Sequence, residues 1–191
     1  MSDNSPIIEG LLPACEDALD SAEILLSKIK DSVGTRVIRE GRVNAKLIDD
    51  NQFAAHGLSW AATYVEALRQ MLGWGQRLQT NGNFGELEQL ILQSAYGEYL
   101  SQLYGGIPLS QVEIIRPRDL GLTSKDTHAF FTDGVKVLIA GGNTNAARMR
   151  IAKLIEDGAD SGYFGDPCLD DEMLDMVRDQ FRRFVNEQVL P

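Results

Sequence analysis

Residues 54–78, AAHGLSWAATYVEALRQMLGWGQRL, decide the fold class. Their apolar side chains recur at intervals of three and four, the repeat of an α-helix, and they do so twice over. Leu58, Ala61, Val65, Leu68 and Leu72 form one stripe; Trp60, Tyr64, Ala67, Met71, Trp74 and Leu78 form another. Trp60 stands two positions from Leu58, about 200° of helical rotation, so the stripes face opposite ways. The pattern predicts a central helix over 50–79, packed on both sides.

The same period continues in both directions along the chain, and strand-like alternation is scarce. Before this helix, residues 9–33 carry Leu12, Cys15, Leu19, Ala22, Leu26, Ile29 and Val33 on one stripe, which predicts an outer helix ended by Gly34. After it, Asn81, Gly82 and Asn83 make a turn, and residues 84–104 read as an antiparallel helix with Gln89, Gln93, Gly97 and Ser101 as a polar and small ridge. The segment QVEIIRPRDLGL holds two Pro-flanked turns and at most a short helix. A fourth helix is expected from Thr123 or Ser124 to Ala140, with Phe130, Phe131, Val135 and Leu138 inward, and a fifth from Asn143 or Thr144 to Asp157. GADSGYFGDP follows as a linker. A sixth helix spans about 169–189, with acids in its first turn and Arg178, Arg182 and Arg183 further along, as the helix dipole favours. The fold expected is therefore all-α: an antiparallel bundle of about six helices over 1–157, a linker over 158–168, and a linked C-terminal helix over 169–191.

The 191 residues carry 28 acidic and 18 basic side chains, a net charge of −10. Binding to nucleic acid draws on clustered Lys and Arg that displace phosphate counterions, so neither nucleic acid nor an anionic membrane is expected as a partner. No apolar run approaches the ~20 residues that span a bilayer, and the start MSDNSPIIEG lacks the basic, apolar character of a leader; a cytoplasmic location is expected. Cys15 and Cys168 show no metal-type or redox-type spacing.

Motifs for chemistry are sparse. A di-metal bundle needs Glu-x-x-His pairs, but Phe53 precedes His56 and Lys125 precedes His128 by three, so no metal site is assigned. No nucleophile–base pair is evident, and Gly73-Trp74-Gly75 lies within a helix rather than after a strand, so it is no dinucleotide fingerprint. Two places could hold an anion: Gly141, Gly142 and Asn143 at a helix start with Arg148 and Arg150 close behind, and Arg116-Pro117-Arg118. Ordinary helix hairpins and surface loops have the same look. In the last helix Met173, Val177, Phe181, Phe184 and Val185 form an apolar stripe with little following chain to cover it, and they are the candidate partner interface.

Particular peptides, rather than patterns, resemble a known family. Residues 54–78, quoted above, and residues 84–121, FGELEQLILQSAYGEYLSQLYGGIPLSQVEIIRPRDLG, resemble the amino-terminal extension of some bacterial acyl-CoA dehydrogenases, those of the methylsuccinyl-CoA dehydrogenase type in the ethylmalonyl-CoA pathway. Residues 169–191, LDDEMLDMVRDQFRRFVNEQVLP, resemble the first helix of the dehydrogenase body. The resemblance implies an oxidoreductase whose helical and barrel-like domains bind FAD, with a carboxylate base taking the α-proton of an acyl-CoA while the β-hydride passes to the flavin. Those functional residues lie beyond the first helix, so no catalytic, cofactor-binding or metal-binding position can be carried onto this chain.

Three readings stand at this point. The chain is the leading, non-catalytic portion of such a dehydrogenase, with the remainder of the body as its partner; or a free-standing helical module that binds a dehydrogenase subunit, another protein or a second copy of itself; or a small enzyme or ligand carrier using the bundle interior.

Overall fold

The structure, a computed structural model, describes residues 6–159, 165–169 and 171–190. The all-α reading holds: among the described residues there are eight α-helices and two short antiparallel strand pairs.

Helix α1 (Leu11–Val37) starts after Gly10, whose φ of 66° turns the chain into it. It runs four residues beyond the expected stop. Gly34 does not end it, because Val33 and Val37 continue the buried stripe across that glycine. As an outer helix should, α1 keeps one side in solvent, with Glu16, Asp20, Ile24 and Asp31 exposed, while its buried stripe packs against α3 (Gln52–Thr80), α4 (Glu86–Gly105), α5 (Ser124–Phe130) and α6 (Asp133–Gly141). Between α1 and α3 the sequence hides a ribbon, β1 (Ile38–Arg39) with β2 (Arg42–Val43), and a six-residue helix, α2 (Ala45–Asp50), capped by the Asn44 side chain accepting from Leu47 N–H at 3.1 Å.

Helix α3 matches its expected span, but its two stripes fare differently. Ala61, Val65, Leu68 and Leu72 are buried. On the second stripe Tyr64 and Leu78 are buried, Ala67, Met71 and Trp74 are half-covered, and Trp60 is exposed. Helix α4 runs antiparallel beside it, as Tyr96 Oη donating to the Leu68 carbonyl and Tyr64 Oη donating to Gln102 Oε1 show. Of the glycine pair in α3, Gly75 has a packing reason: a Cβ there would stand 2.9 Å from Leu92 Cδ2, so the residue permits close approach of α4.

The centre of the bundle is α4, which packs on α1, α3, α6 and α7 (Asn145–Gly158). Two members of the small and polar ridge expected on it, Gln93 and Gly97, meet the α6–α7 corner. A Cβ on Gly97 would lie 2.8 Å from both Asn143 N and the Leu138 carbonyl oxygen, and the fully buried Gln93 binds the Pro6 and Gly142 carbonyls while accepting from Ile8 N–H. After α4 come β3 (Ile107–Pro108), β4 (Ile114–Ile115) and a 3-10 turn, Pro117–Leu120.

The expected fourth helix is two helices. Phe131 and Thr132 break it, with Phe130 buried and its carbonyl accepting from Ser21 Oγ, and with Gly134 N–H donating to Asp17 Oδ2 at 2.8 Å. Both ends of the break are thus pinned on α1, and Thr132 serves as the new N-cap of α6. No described helix is long and apolar enough to cross a membrane.

Candidate interaction surface

Helix α8 (Glu172–Phe184) begins at Asp171, whose carboxylate accepts from Met173 N–H at 2.9 Å and Leu174 N–H at 3.2 Å. Glu172 and Asp175 stand in its first turn and Arg182 and Arg183 in its last, so cap and dipole both favour a helix that needs no tertiary support to start. A π-helical turn, Val185–Val189, prolongs it. Two ion pairs run along the helix itself, Arg178 with Asp175 at 3.0 Å and Arg183 with Glu187 at 2.8 Å.

The five residues singled out in the sequence share one arc of this helix, and all are in solvent: Met173 68%, Val177 45%, Phe181 68%, Phe184 57% and Val185 38% exposed. Extensive packing of α8 among the described residues is with its own π turn. The arc is wider than the sequence reading allowed. Leu174, Met176, Val189 and Leu190 are exposed as well; at 100° per residue Leu174 falls within the stripe, between Phe181 and Val185, and Met176 extends it by about 60° on the Met173 side. A wheel over the whole helix, rather than a search for every-fourth spacing, would have found them. Isolated exposed apolar residues are ordinary, but nine on one helix and its turn mark a face made for covering.

Neither anion candidate survives as a binding site. Gly142 is crushed against α4, where a Cβ would stand 2.3 Å from the Gln93 carbonyl oxygen, so the corner is a packing contact. Arg148 donates to the Asn143 side chain and carbonyl, and Arg150 forms a two-pronged pair with Glu86 at 2.7 and 2.6 Å that holds the Glu86 carboxyl below its usual range. The second candidate is a capped turn in which Asp119 accepts from Arg116 N–H and lies 3.8 Å from Arg118. His56 Nε2 accepts from the indole N–H of Trp60 one helical turn on, and no three His, Cys, Asp or Glu side chains gather into a metal-sized group among the described residues.

Hollows in the bundle do not suit FAD. The one between α1 and α5, about 200 Å³, presents Asp17, Asp20 and Asp126, and its cation, Lys28, is already paired with Asp126 at 2.7 Å. A broader hollow by Ile48, Phe53 and His56 offers Glu113 and no Lys or Arg. A dinucleotide's diphosphate would meet carboxylates in both. Deep in the core, burial first and the neighbouring Glu16 second push the Cys15 thiol far above its ordinary value, which leaves it inert.

The segment before α8 is fixed to the bundle. Trp74 Nε1 donates to the Asp166 carbonyl at 2.8 Å, Arg77 Nε to the Cys168 carbonyl at 3.0 Å, and Asp166 N–H to Glu88 Oε1 at 3.1 Å. The linker expected over 158–168 is therefore docked in the part from 165 on, while its residues 160–164 fall outside the described ones.

No family model matches the chain. It is 47% identical over 186 residues, 97% of its length, to (2S)-methylsuccinyl-CoA dehydrogenase of Cereibacter sphaeroides, and it spans 33% of that protein. The resemblance read from the peptides is thus met by a relative of the same kind. About two thirds of that relative have no counterpart here.

Proposed function

We propose that this chain is the helical portion of an FAD-dependent acyl-CoA dehydrogenase of the methylsuccinyl-CoA type, non-catalytic by itself, and that α8 is where it joins the catalytic body. One observation carries the reading: a chain matched almost end to end by a third of such an enzyme leaves a broad apolar arc uncovered on its last described helix. The missing cover and the unmatched two thirds of the relative explain one another. Burying each of Phe181, Phe184 and Met173 against the body would contribute about 1.5 to 3 kcal/mol, ample to hold the two parts together.

The chemistry of the whole enzyme, loss of a proton and a hydride from adjacent carbons of an acyl-CoA, belongs in this reading to the flavin and to residues of the body. FAD, when bound there, supplies the hydride acceptor. What this chain supplies is a rigid bundle and one amphipathic helix.

The test joins the chain to the reading frame that follows its last codon in the genome, or co-expresses it with a neighbouring one. Flavin absorbance and dye reduction with methylsuccinyl-CoA are then measured for the joined protein and for the 191 residues alone. Flavin and turnover in the joined protein, with neither in the chain alone, are the expected result. A yellow, active 191-residue chain would replace this reading with that of a self-sufficient small enzyme; a frame without a dehydrogenase body would favour a free-standing module.

A further inference from the structure

The connection between bundle and α8, GADSGYFGDP, has the composition of a loose tether, yet its described part from Gly165 on is docked on the bundle. Asp166, Pro167 and Cys168 lie across the end of the bundle where α3 stops and α4 starts. Besides the hydrogen bonds donated by Trp74 and Arg77 and the one Glu88 accepts, Asn83 Nδ2 donates to Asp166 Oδ2 at 3.1 Å and Asn81 Nδ2 to Cys168 Sγ at 3.3 Å. Cys168 N–H donates to Asp166 Oδ1 at 2.8 Å and closes the segment on itself. Both peptide groups and both side chains of Asp166 and Cys168 are therefore engaged.

Two features show that the bundle is shaped to receive this segment. Glu88, 2% exposed, is a carboxylate buried at the start of α4, and Gly85 leaves it room: a Cβ there would come within 2.7 Å of Glu88 Oε2. The backbone is also held in unusual conformations at both ends of the segment, with φ of 102° at Gly165 and 43° at Cys168. A non-glycine residue at such a φ persists where its surroundings dictate it. A tether would relax; this segment is bent sharply and tied at each bend.

We infer that residues 165–168 are a strap, clamped by Trp74, Arg77, Asn81, Asn83 and Glu88, which fixes the direction in which α8 leaves the bundle so that bundle and helix move as one piece. If the reading of the previous section holds, the catalytic body seated on α8 is thereby held at the α3–α4 end of the bundle; the strap itself does not depend on that reading.

Cys168 makes the strap measurable in the 191-residue chain as it stands. Its thiol is buried under the clamp, so alkylation by iodoacetamide followed by peptide mass requires the strap to lift, while Cys15 serves as a silent reference. Asp166→Ala removes two hydrogen bonds without touching the bundle core, and two bonds of ordinary strength are worth about a tenfold change in the ratio of clamped to open strap. Alkylation of Cys168 should accelerate by about that factor. Trp74→Phe should act in the same direction, with bundle melting monitored alongside each variant. Spin labels on unnatural residues at exposed positions 63 and 179 should give one narrow distance in the parent chain and a broad one in Asp166→Ala. Equal alkylation rates in parent and both variants, or a broad distance already in the parent, would overturn the strap and leave the dehydrogenase reading untouched. A narrow distance in a chain whose genomic continuation lacks a dehydrogenase body would do the reverse.

Discussion

Helices α4 and α8 are built from similar proportions of apolar residues yet live in opposite surroundings. On α4 the apolar residues are spread around the cylinder, and Leu87, Leu90, Leu92, Tyr96, Leu100 and Leu103 are all buried, together with Glu88 and Gln93. On α8 the segregation into an apolar and a charged face is the sharpest among the described helices, and no described residue of it is buried. A helix surrounded by others has no reason to sort its residues, whereas a sorted helix announces a single cover. Amphipathic order therefore reports what a helix is meant to meet, and burial reports whether it has met it.

The comparison breaks if core substitutions in the two helices cost the same. Leu100→Ala, at a site with no exposure, should lower stability by about 2 to 5 kcal/mol in urea unfolding, against under ~0.5 kcal/mol for Phe181→Ala. Comparable losses at both positions would make α8 part of the core. Gly97→Ala should cost about 1 to 3 kcal/mol, since the new methyl faces main-chain atoms of the α6–α7 corner rather than a side chain able to turn aside.

Charge sharpens the contrast. Asp126 joins α5 to Lys28 of α1 and accepts from Thr123, and these hydrogen bonds, Lys28 first, hold its carboxyl well below the usual carboxylate range. A depressed folded-state value adds stability that is present above the unfolded carboxylate value, about 3.9, and disappears as pH falls through the folded one. Asp126→Asn should accordingly lower the melting temperature at pH 7, with the gap to the parent closing below about pH 4. Asp175→Asn, which breaks a pair confined to α8, should leave the bundle's melting temperature unmoved at either pH.

The smallest expected change in folding comes with the largest in association. Phe181 and Phe184 changed together to Ser should leave bundle melting within ~0.5 kcal/mol while reducing self-association in sedimentation, because exposed stripes otherwise find each other. A loss of several kcal/mol with unchanged association would mean that α8 belongs to a finished domain.

Periodicity alone made the helices legible, because α3, α4 and α7 each carry enough turns for the repeat of 3.6 to stand out. The break at Phe131 and Thr132 was not read: Phe130, Phe131, Val135 and Leu138 keep helical spacing across it although Thr132, Asp133 and Gly134 intervene, and the two halves are pinned by Ser21 and Asp17 on a helix more than a hundred residues earlier. The centre was misplaced for a related reason. Two stripes on α3 suggested two neighbours, but α4, with weaker sorting, is the helix enclosed on more sides. The ribbon β1–β2 escaped notice because two-residue strands leave no alternation to read. Of the candidate surface, five members were visible at three- and four-residue spacing and four were not. The strap was hidden inside what composition marks as a linker, since its partners Trp74 and Glu88 come from two other elements.

The crossing of α4 with the α6–α7 corner bears on how sequences of this fold can drift. Gly142 has ordinary helical dihedrals, φ −69° and ψ −55°, so nothing in its backbone calls for glycine. Yet Gly97 and Gly142 bring their Cα atoms so close that a Cβ on either would stand 3.1 Å from the other's Cα. Any descendant that keeps this crossing loses stability with a side chain at either position, whatever its substrate or partner. Two glycines would then look invariant in an alignment, beside a helix start and two arginines, and would invite assignment as an anion-binding motif. Their constancy would record the distance between two backbones, a constraint of shape that persists through any change of chemistry.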